Sequence, residues 1–469
     1  MKIADRKGLP IAVIGAGPVG LAAAAHLLAQ GLPVKLYEAG PAVGANLRDW
    51  GHVRVFTPWR YCVDAAATAL LHRQGWRLPA ANAFPTGAEL VTRYLEPLAA
   101  TPELAAVIET GARVTAISRL GLDKVVSRGR EEHPFLLAVA SNGGIRRDLA
   151  RAVIDASGTW TTPNPLGGSG LPAEGEAAFA GRIAYGIPDI LGRSRHIYAG
   201  MTTLVVGSGH SAGNALLELA QLADAQPQTS FIWATRSTDL VRIYGGGDAD
   251  QLPARGVLGA EVRELVESGR VTPVTGFSIV SLHEENGRIV VEGETASGPH
   301  RIGPVDRIIA ATGQRPDLSL TRELRLDLDP WLESTKALGP LIDPNEHSCG
   351  DVPPHGHREL AHPEPGFYTV GIKSYGRAPT FLLLTGYEQV RSVAAAIAGD
   401  VAAADDLRLV LPETGVCTTQ RISIDPGAVD LAAAGCCGGP VPVEVDACCV
   451  ADVVAKDEGK SGCGCGVAA

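Results

Sequence analysis

At 469 residues the chain can bury more than one core, and a content of 45% hydrophobic and 20% charged residues is that of a globular protein of two or three domains. Its formal charge of −10 argues against a phosphate-backbone partner, which calls for a basic face. The opening "MKIADRKGLPIAVIGAGPVG" carries no apolar secretory segment with a small-residue cleavage site, and no later run approaches the apolar length of a membrane span. A cytoplasmic protein without nucleic-acid or membrane partners is therefore expected.

Ile11–Ile14 is a continuous apolar run that predicts a buried strand, followed by Gly15, Gly17 and Gly20 in GxGxxG spacing and a helix-forming run that Gly31 is placed to end. Val34–Tyr37 predicts the next strand, with Glu38 at its end. Such glycines let the turn close and bring backbone amides up to a pyrophosphate at the helix N-terminus, while the acid accepts from ribose hydroxyls. The ordered set of strand, glycines, helix, strand and acid points to a dinucleotide site.

Residues 151–155 predict another strand, which runs into "ASGTW" with Gly158 in the turn. A second glycine loop follows the strand predicted at 203–206: Gly207 and Gly209 open it, Ala212 fills the third small position, and 214–225 predicts its helix. The next strand, 231–234, ends in Thr235 and Arg236 with no acid. A guanidinium suits a 2′-phosphate that a carboxylate would repel, so NADPH is expected here. Residues 306–310 then lead into "ATGQRPD", with Gly313 in the turn.

Two such units bracketed by an "ATG" strand resemble the two-dinucleotide-binding flavoproteins, over roughly residues 9 to 400. The resemblance implies an α/β fold of two Rossmann-like domains, with FAD on the first glycine loop and NADPH on the second. It places a first FAD segment at 1–165, an inserted NADPH domain at 166–304, a returning FAD segment at 305–405 and a flexible tail at 406–469. The disulfide reductases of that group carry a CxxC or CxxxxC pair facing the flavin, and residues 1–430 contain none. "PGFYTVGIKSYG", at 365–376, resembles the closing FAD strand, with Gly371 followed by Ile372 where reductases have an acid. That favours the flavin-containing monooxygenase branch, although the FxGxxxHxxx(W/F)P signature is absent and His196 of "YGIPDILGRSRHIYAG" is wrongly spaced for it. "NLRDWGHVRVF" and "KSYGRAPTFLLLTGYEQVRSV" are similar to flavoproteins associated with arsenic resistance.

In such proteins the loop at 46–59, "NLRDWGHVRVFTPW", passes over the flavin ring. The resemblance makes Asn46, Arg48 and Trp50 cofactor contacts, and makes Arg48, His52 and Lys373 the expected catalytic residues. Arg54 is a further candidate charge, and Trp59 is expected either to stack or to fill the core. Lys373, Ser374 and Arg377 are expected near the ring. The His- and Pro-rich stretch 347–366, holding His347, Cys349, Asp351, His355, His357 and His362, lacks a metal-ligand spacing and is expected to be a substrate-binding loop or a solvated one.

Six of nine cysteines crowd the end of the chain, as Cys436, Cys437, Cys448, Cys449, Cys463 and Cys465. No aromatic residue follows Tyr387, so this segment builds no core of its own. The spacing fits neither a zinc ribbon nor a ferredoxin. Closely set flexible thiolates suit soft ions of low coordination number, such as trivalent arsenic or antimony, mercury or cuprous copper, while pairing of adjacent cysteines in a disulfide and a merely oxidation-prone tail stay open. The "LPETG" at 411–415 has no membrane segment after it and reads as chance. The expected function is an FAD- and NADPH-dependent, monooxygenase-like oxidoreductase acting on a trivalent arsenical or similar small thiophile. A metal-ion reductase with thiol delivery and a non-enzymatic flavin-bearing metalloid binder stay open, as does the oligomeric state.

Overall fold

In the computed structural model, which describes residues 8–245, 253–346 and 352–409, the apolar run Ile11–Ile14 is a fully enclosed central strand, β1. On one side lie β2 (Val34–Tyr37) and β3 (Ile108–Glu109), and on the other β7 (Ala152–Asp155) and β16 (Phe367–Thr369), all parallel. Covered on both faces, β1 is a continuous apolar run rather than an alternating one. An antiparallel meander of β4 (Arg113–Arg119), β5 (Phe135–Ser141) and β6 (Gly144–Ala150) interrupts the sheet in sequence.

The second sheet repeats the plan around β9 (Thr202–Val206). β10 (Ser230–Ala234) and β11 (Pro273–Val274) flank it on one side, β15 (Arg307–Ala310) and β8 (Ile183–Tyr185) on the other. Its own antiparallel meander is β12 (Ser278–Glu285), β13 (Arg288–Thr295) and β14 (Gly298–Val305). The fold is thus α/β, with two Rossmann-like sheets. The strand at 306–310, expected to begin the return to the first domain, instead pairs with β9 and β8, so the sequence boundary at 305 is corrected. Its apolar run serves equally well beside either central strand, and only the pairing distinguishes them.

The longer helices among the described residues are α1 (Pro18–Ala29), α2 (Ala65–Arg73), α3 (His210–Ala225), α4 (Pro253–Glu267) and α5 (Leu383–Ala398). Ala22–Ala25 of α1 is at most 1% exposed, because small side chains let this helix lie close to β1 and to α5 at once. At the α1–α5 contact a Cβ on Gly386 would stand 2.7 Å from Val19 Cγ2.

Two linkers join the sheets and run side by side. Asn164 N donates to Gly313 O at 2.9 Å, Arg315 N to Thr162 O at 3.0 Å, and Thr312 Oγ1 to Asn164 O at 2.6 Å. The turns after β7 and β15, which carry Gly158 and Gly313, thereby come together between the two glycine loops.

Candidate functional site

The first glycine loop assigns a separate steric task to each glycine. Gly15 has φ +96°, and a Cβ there would lie 2.8 Å from the Ala156 carbonyl oxygen; one on Gly20 would lie 1.8 Å from Gly15 O. These two positions close the turn and seat α1 against β1. A Cβ on Gly17 meets nothing within 4 Å, because that position faces an open cleft. Glu38, only 8% exposed, accepts from Ala16 N and Gly40 N at 2.7 Å each, one bond per carboxylate oxygen. Each oxygen keeps an acceptor site, and the residue lines the cleft.

The second loop repeats the division. Gly207 has φ +137°, with a Cβ position 2.3 Å from Ala311 O; Gly209 faces open space, and Ala212 is fully buried in the first turn of α3. Arg236, exposed at the end of β10, donates to Gly168 O at 2.9 Å and lines the same cleft, leaving other guanidinium donors for a ligand. One cleft of about 1850 Å³ runs from Gly17 to Gly209. At its margins α1, α3 and α5 all begin without a side-chain cap, presenting the positive ends of long helices.

Between the loops the wall is aromatic and crossed by contacts between the two halves. Trp50 and Trp160 stand 6.4 Å apart, Trp160 Nε1 donates to Asp49 Oδ2 at 2.9 Å, and Arg193 donates to the Asp49 carbonyl. Asn46, Gly158, Gly313 and Gly371 also line the cleft, at φ +75°, +81° and +70° for the three glycines.

Several expected site residues lie elsewhere. Arg48 turns away to Glu96 at 2.9 Å and does not line the cleft. Lys373 is corrected from ring contact to buried partner: its Nζ donates to Asp155 Oδ2 at 2.7 Å and Ser157 Oγ at 3.0 Å, behind the cleft wall. Ser374 is likewise turned inward, donating to Gly371 O at 2.7 Å. His52 sits behind the cleft beside Asp189 and Arg193, and burial holds its imidazole below the usual value. Trp59 is a core residue, 1% exposed. Arg54 and Arg377 do reach the cleft, Arg377 while paired with Glu333 at 2.6 Å.

The histidine-rich stretch lines no part of this cleft in its described portion. His355 is fully buried, His357 pairs with Asp405 at 2.8 Å, and burial pushes His362 down to about 4. His347, Cys349 and Asp351 lie outside the described residues, as do Cys417 and all six cysteines of the terminal cluster. Among the described residues no group of three His, Cys, Asp or Glu side chains is placed to hold a metal, and no helix is long and apolar enough to cross a membrane.

Asp155 and Ser157 were missed from sequence. The signal was an acid closing the apolar run "AVID" immediately before a glycine turn. Cys62, a fallback thiol candidate from the sequence, lines the cleft, but burial pushes its thiol up to about 12.

A family model described as NAD(P)-binding Rossmann-like domain matches residues 13–76, which hold the first glycine loop and Glu38. No curated protein matches the sequence. Among solved structures, the chain is similar to the bacillithiol disulfide reductase Bdr (YpdA) from Bacillus cereus, with 17% identity, TM-score 0.61, and coverage of 83% of this chain and 99% of that one. It is also similar to a flavin-containing monooxygenase from Stenotrophomonas maltophilia, at 20% identity and TM-score 0.52 over 84% and 98% of the two chains. A third likeness is to the cadaverine monooxygenase DfoA from Erwinia amylovora, solved bound to FAD, at 13% identity and TM-score 0.58 over 88% and 99%. At these identities the likeness establishes the two-sheet fold.

Proposed function

We propose that the chain is an FAD- and NADPH-dependent oxidoreductase of monooxygenase-like type. The observation that carries this is the single cleft joining two glycine loops, each with one glycine whose Cβ position is open and each leading into an uncapped helix. FAD fits the first arm, where Glu38 offers acceptors to a ribose. NADPH fits the second, where Arg236 offers donors to a 2′-phosphate. Bound FAD supplies a carrier that takes a hydride from NADPH and passes electrons to oxygen or to a metal ion. The chain's own residues then bind and orient: the helix N-termini favour anionic groups, and the Trp50–Trp160 wall limits water between the two arms.

A dithiol reductase reading is weaker, since Cys62 is the sole cysteine among the described residues and its thiol stays protonated at neutral pH. For the substrate, the terminal thiols support a trivalent arsenical or another thiophile, captured by Cys436, Cys437, Cys448, Cys449, Cys463 and Cys465. The assay is NADPH consumption, with and without oxygen, over arsenite, methylarsenite, antimonite and mercuric ion. Stimulation with oxygen uptake supports the monooxygenase reading; stimulation without it supports metal-ion reduction. Binding without turnover leaves a metalloid binder, and absence of bound FAD and NADPH overturns the whole proposal.

A further inference from the structure

Behind the first arm of the cleft lies a closed chain of hydrogen bonds that starts in the histidine-rich stretch. His355 Nδ1 lies 3.0 Å from Pro353 O, and His355 Nε2 lies 3.1 Å from Gln389 Nε2. The Gln389 amide also donates to Ser374 Oγ at 3.0 Å, while its Oε1 accepts from Gly371 N at 2.8 Å. Ser374 Oγ closes the circuit by donating to Gly371 O at 2.7 Å. His355 and Gln389 are 0% exposed and Ser374 is 1% exposed, so water does not substitute for a lost partner.

The donor inventory fixes every orientation. A carbonyl only accepts, so His355 carries its proton on Nδ1 and offers a lone pair at Nε2. That lone pair needs the NH₂ side of Gln389, which leaves Oε1 facing the Gly371 N–H. A protonated imidazole would set N–H against NH₂, and flipping the amide would set NH₂ against the Gly371 N–H. Burial also keeps the imidazole below its usual value; Glu359 is the acid acting on it, and the Tyr375 hydroxyl lies 3.5 Å from Nε2. Gly371 in turn stands on the cleft wall opposite the start of α1, where its φ is +70° and a Cβ would lie 3.4 Å from Val19.

We propose that His355 and Gln389 are positioning residues for the first cofactor arm, holding the turn Gly371–Tyr375 in the shape that FAD meets. The inference rests on the reading that FAD occupies this arm. Gln389→Glu keeps an acceptor for Gly371 but loses both donors, and His355→Leu removes the acceptor that orients the amide. His355→Gln brings an amide oxygen toward the position of Nε2 and is the conservative rescue.

The test uses the full chain. It measures FAD affinity by flavin fluorescence, the visible spectrum and midpoint potential of the bound flavin, and thermal unfolding of the FAD-free protein. Gln389→Glu and His355→Leu are expected to weaken FAD binding about tenfold, the scale of one buried hydrogen bond, and to shift flavin band and potential. His355→Gln should restore all three. A variant that merely unfolds is told apart by its melting curve, and the spectrum and potential of whatever FAD it retains still report on the turn. FAD-loaded wild type with indifferent variants, or His355→Gln failing as badly as His355→Leu, overturns the proposal alone. A wild-type chain that takes up no FAD overturns the reading beneath it, and the proposal falls with it.

Discussion

Gly17 and Gly15 separate binding from folding at neighbouring positions. Gly17 is extended, at φ −81° and ψ −175°, with open space where a Cβ would go, so Gly17→Val should leave the unfolding midpoint of the FAD-free chain unchanged while emptying the FAD site. Gly15→Val adds a backbone clash at φ +96°, so it should lose stability as well as flavin. Flavin content after purification, read beside thermal unfolding, distinguishes the two; full flavin on Gly17→Val would mean the first loop is misassigned. Lys373 makes a different prediction, because its partner Asp155 is 0% exposed and the ammonium 1%. Lys373→Met strands a buried carboxylate that keeps only the Ser157 donors, and should cost about 3–5 kcal/mol in denaturant unfolding. A loss near zero would show that the pair is open in solution. The glycines and Glu38 were legible because their tasks are local, set by a turn and the strand beside it. Lys373 and Arg48 were not, because the acids that claim them, Asp155 and Glu96, are 218 and 48 residues away in sequence.

At the scale of elements, the strap after β8 joins the two halves of the cleft wall. Glu218 on α3 holds it from behind by accepting from Ile190 N at 3.1 Å and from Leu191 N, with Asp189 the acid acting on it. On the other side the strap meets His52 and the Asp49 carbonyl. Burial pushes the Glu218 carboxyl up to about 7 from the usual 4.5, with the Ile190 and Leu191 N–H groups opposing it only in part. The folded protein therefore holds a proton between about pH 4.5 and pH 7 that the unfolded chain has released, so stability falls as pH rises across that window. Glu218→Gln keeps an acceptor for the strap without the charge. It should match wild type near pH 5 and exceed it by about 1–2 kcal/mol near pH 8, read as the pH dependence of the unfolding free energy. Parallel pH curves for the two proteins would take Glu218 out of this role. Strand identity at this scale was legible from apolar runs, but strand order was not. β15 has a composition that fits either sheet, and its place beside β9 is decided by long-range pairing, Arg307 opposite Thr203 and Ala310 opposite Val206.

For the whole molecule, the residues lining the cleft run from Ile14 to Leu383, and the closing helix α5 ends at Ala398. The last described segment is tied to that helix, with Arg408 N donating to Glu388 Oε1 at 2.8 Å and Arg391 to the Asp406 carbonyl at 2.6 Å. A chain ending at Ala434 keeps all of this and loses residues 435–469 with the clustered thiols, so it should fold, bind FAD and oxidise NADPH at the basal rate of the full chain. Thiophile capture should suffer instead. Replacing several tethered thiols by none removes the high local concentration that makes multidentate capture tight, a loss of about a hundredfold or more in arsenite or methylarsenite affinity. Serine at positions 436, 437, 448 and 449 should reproduce most of that loss, because a neutral hydroxyl is a poor ligand for soft ions, with Cys463 and Cys465 compensating in part. The decisive comparison is substrate-stimulated turnover at low thiophile concentration, full chain against truncated chain, with basal NADPH oxidation as the internal control. Equal stimulation would remove the tail from substrate capture. It would also leave Cys62, Cys349 and Cys417 as the remaining thiol candidates; Cys62 is the one cysteine among the described residues that lines the cleft, and its thiol, pushed up to about 12, is a poor ligand at neutral pH while protonated.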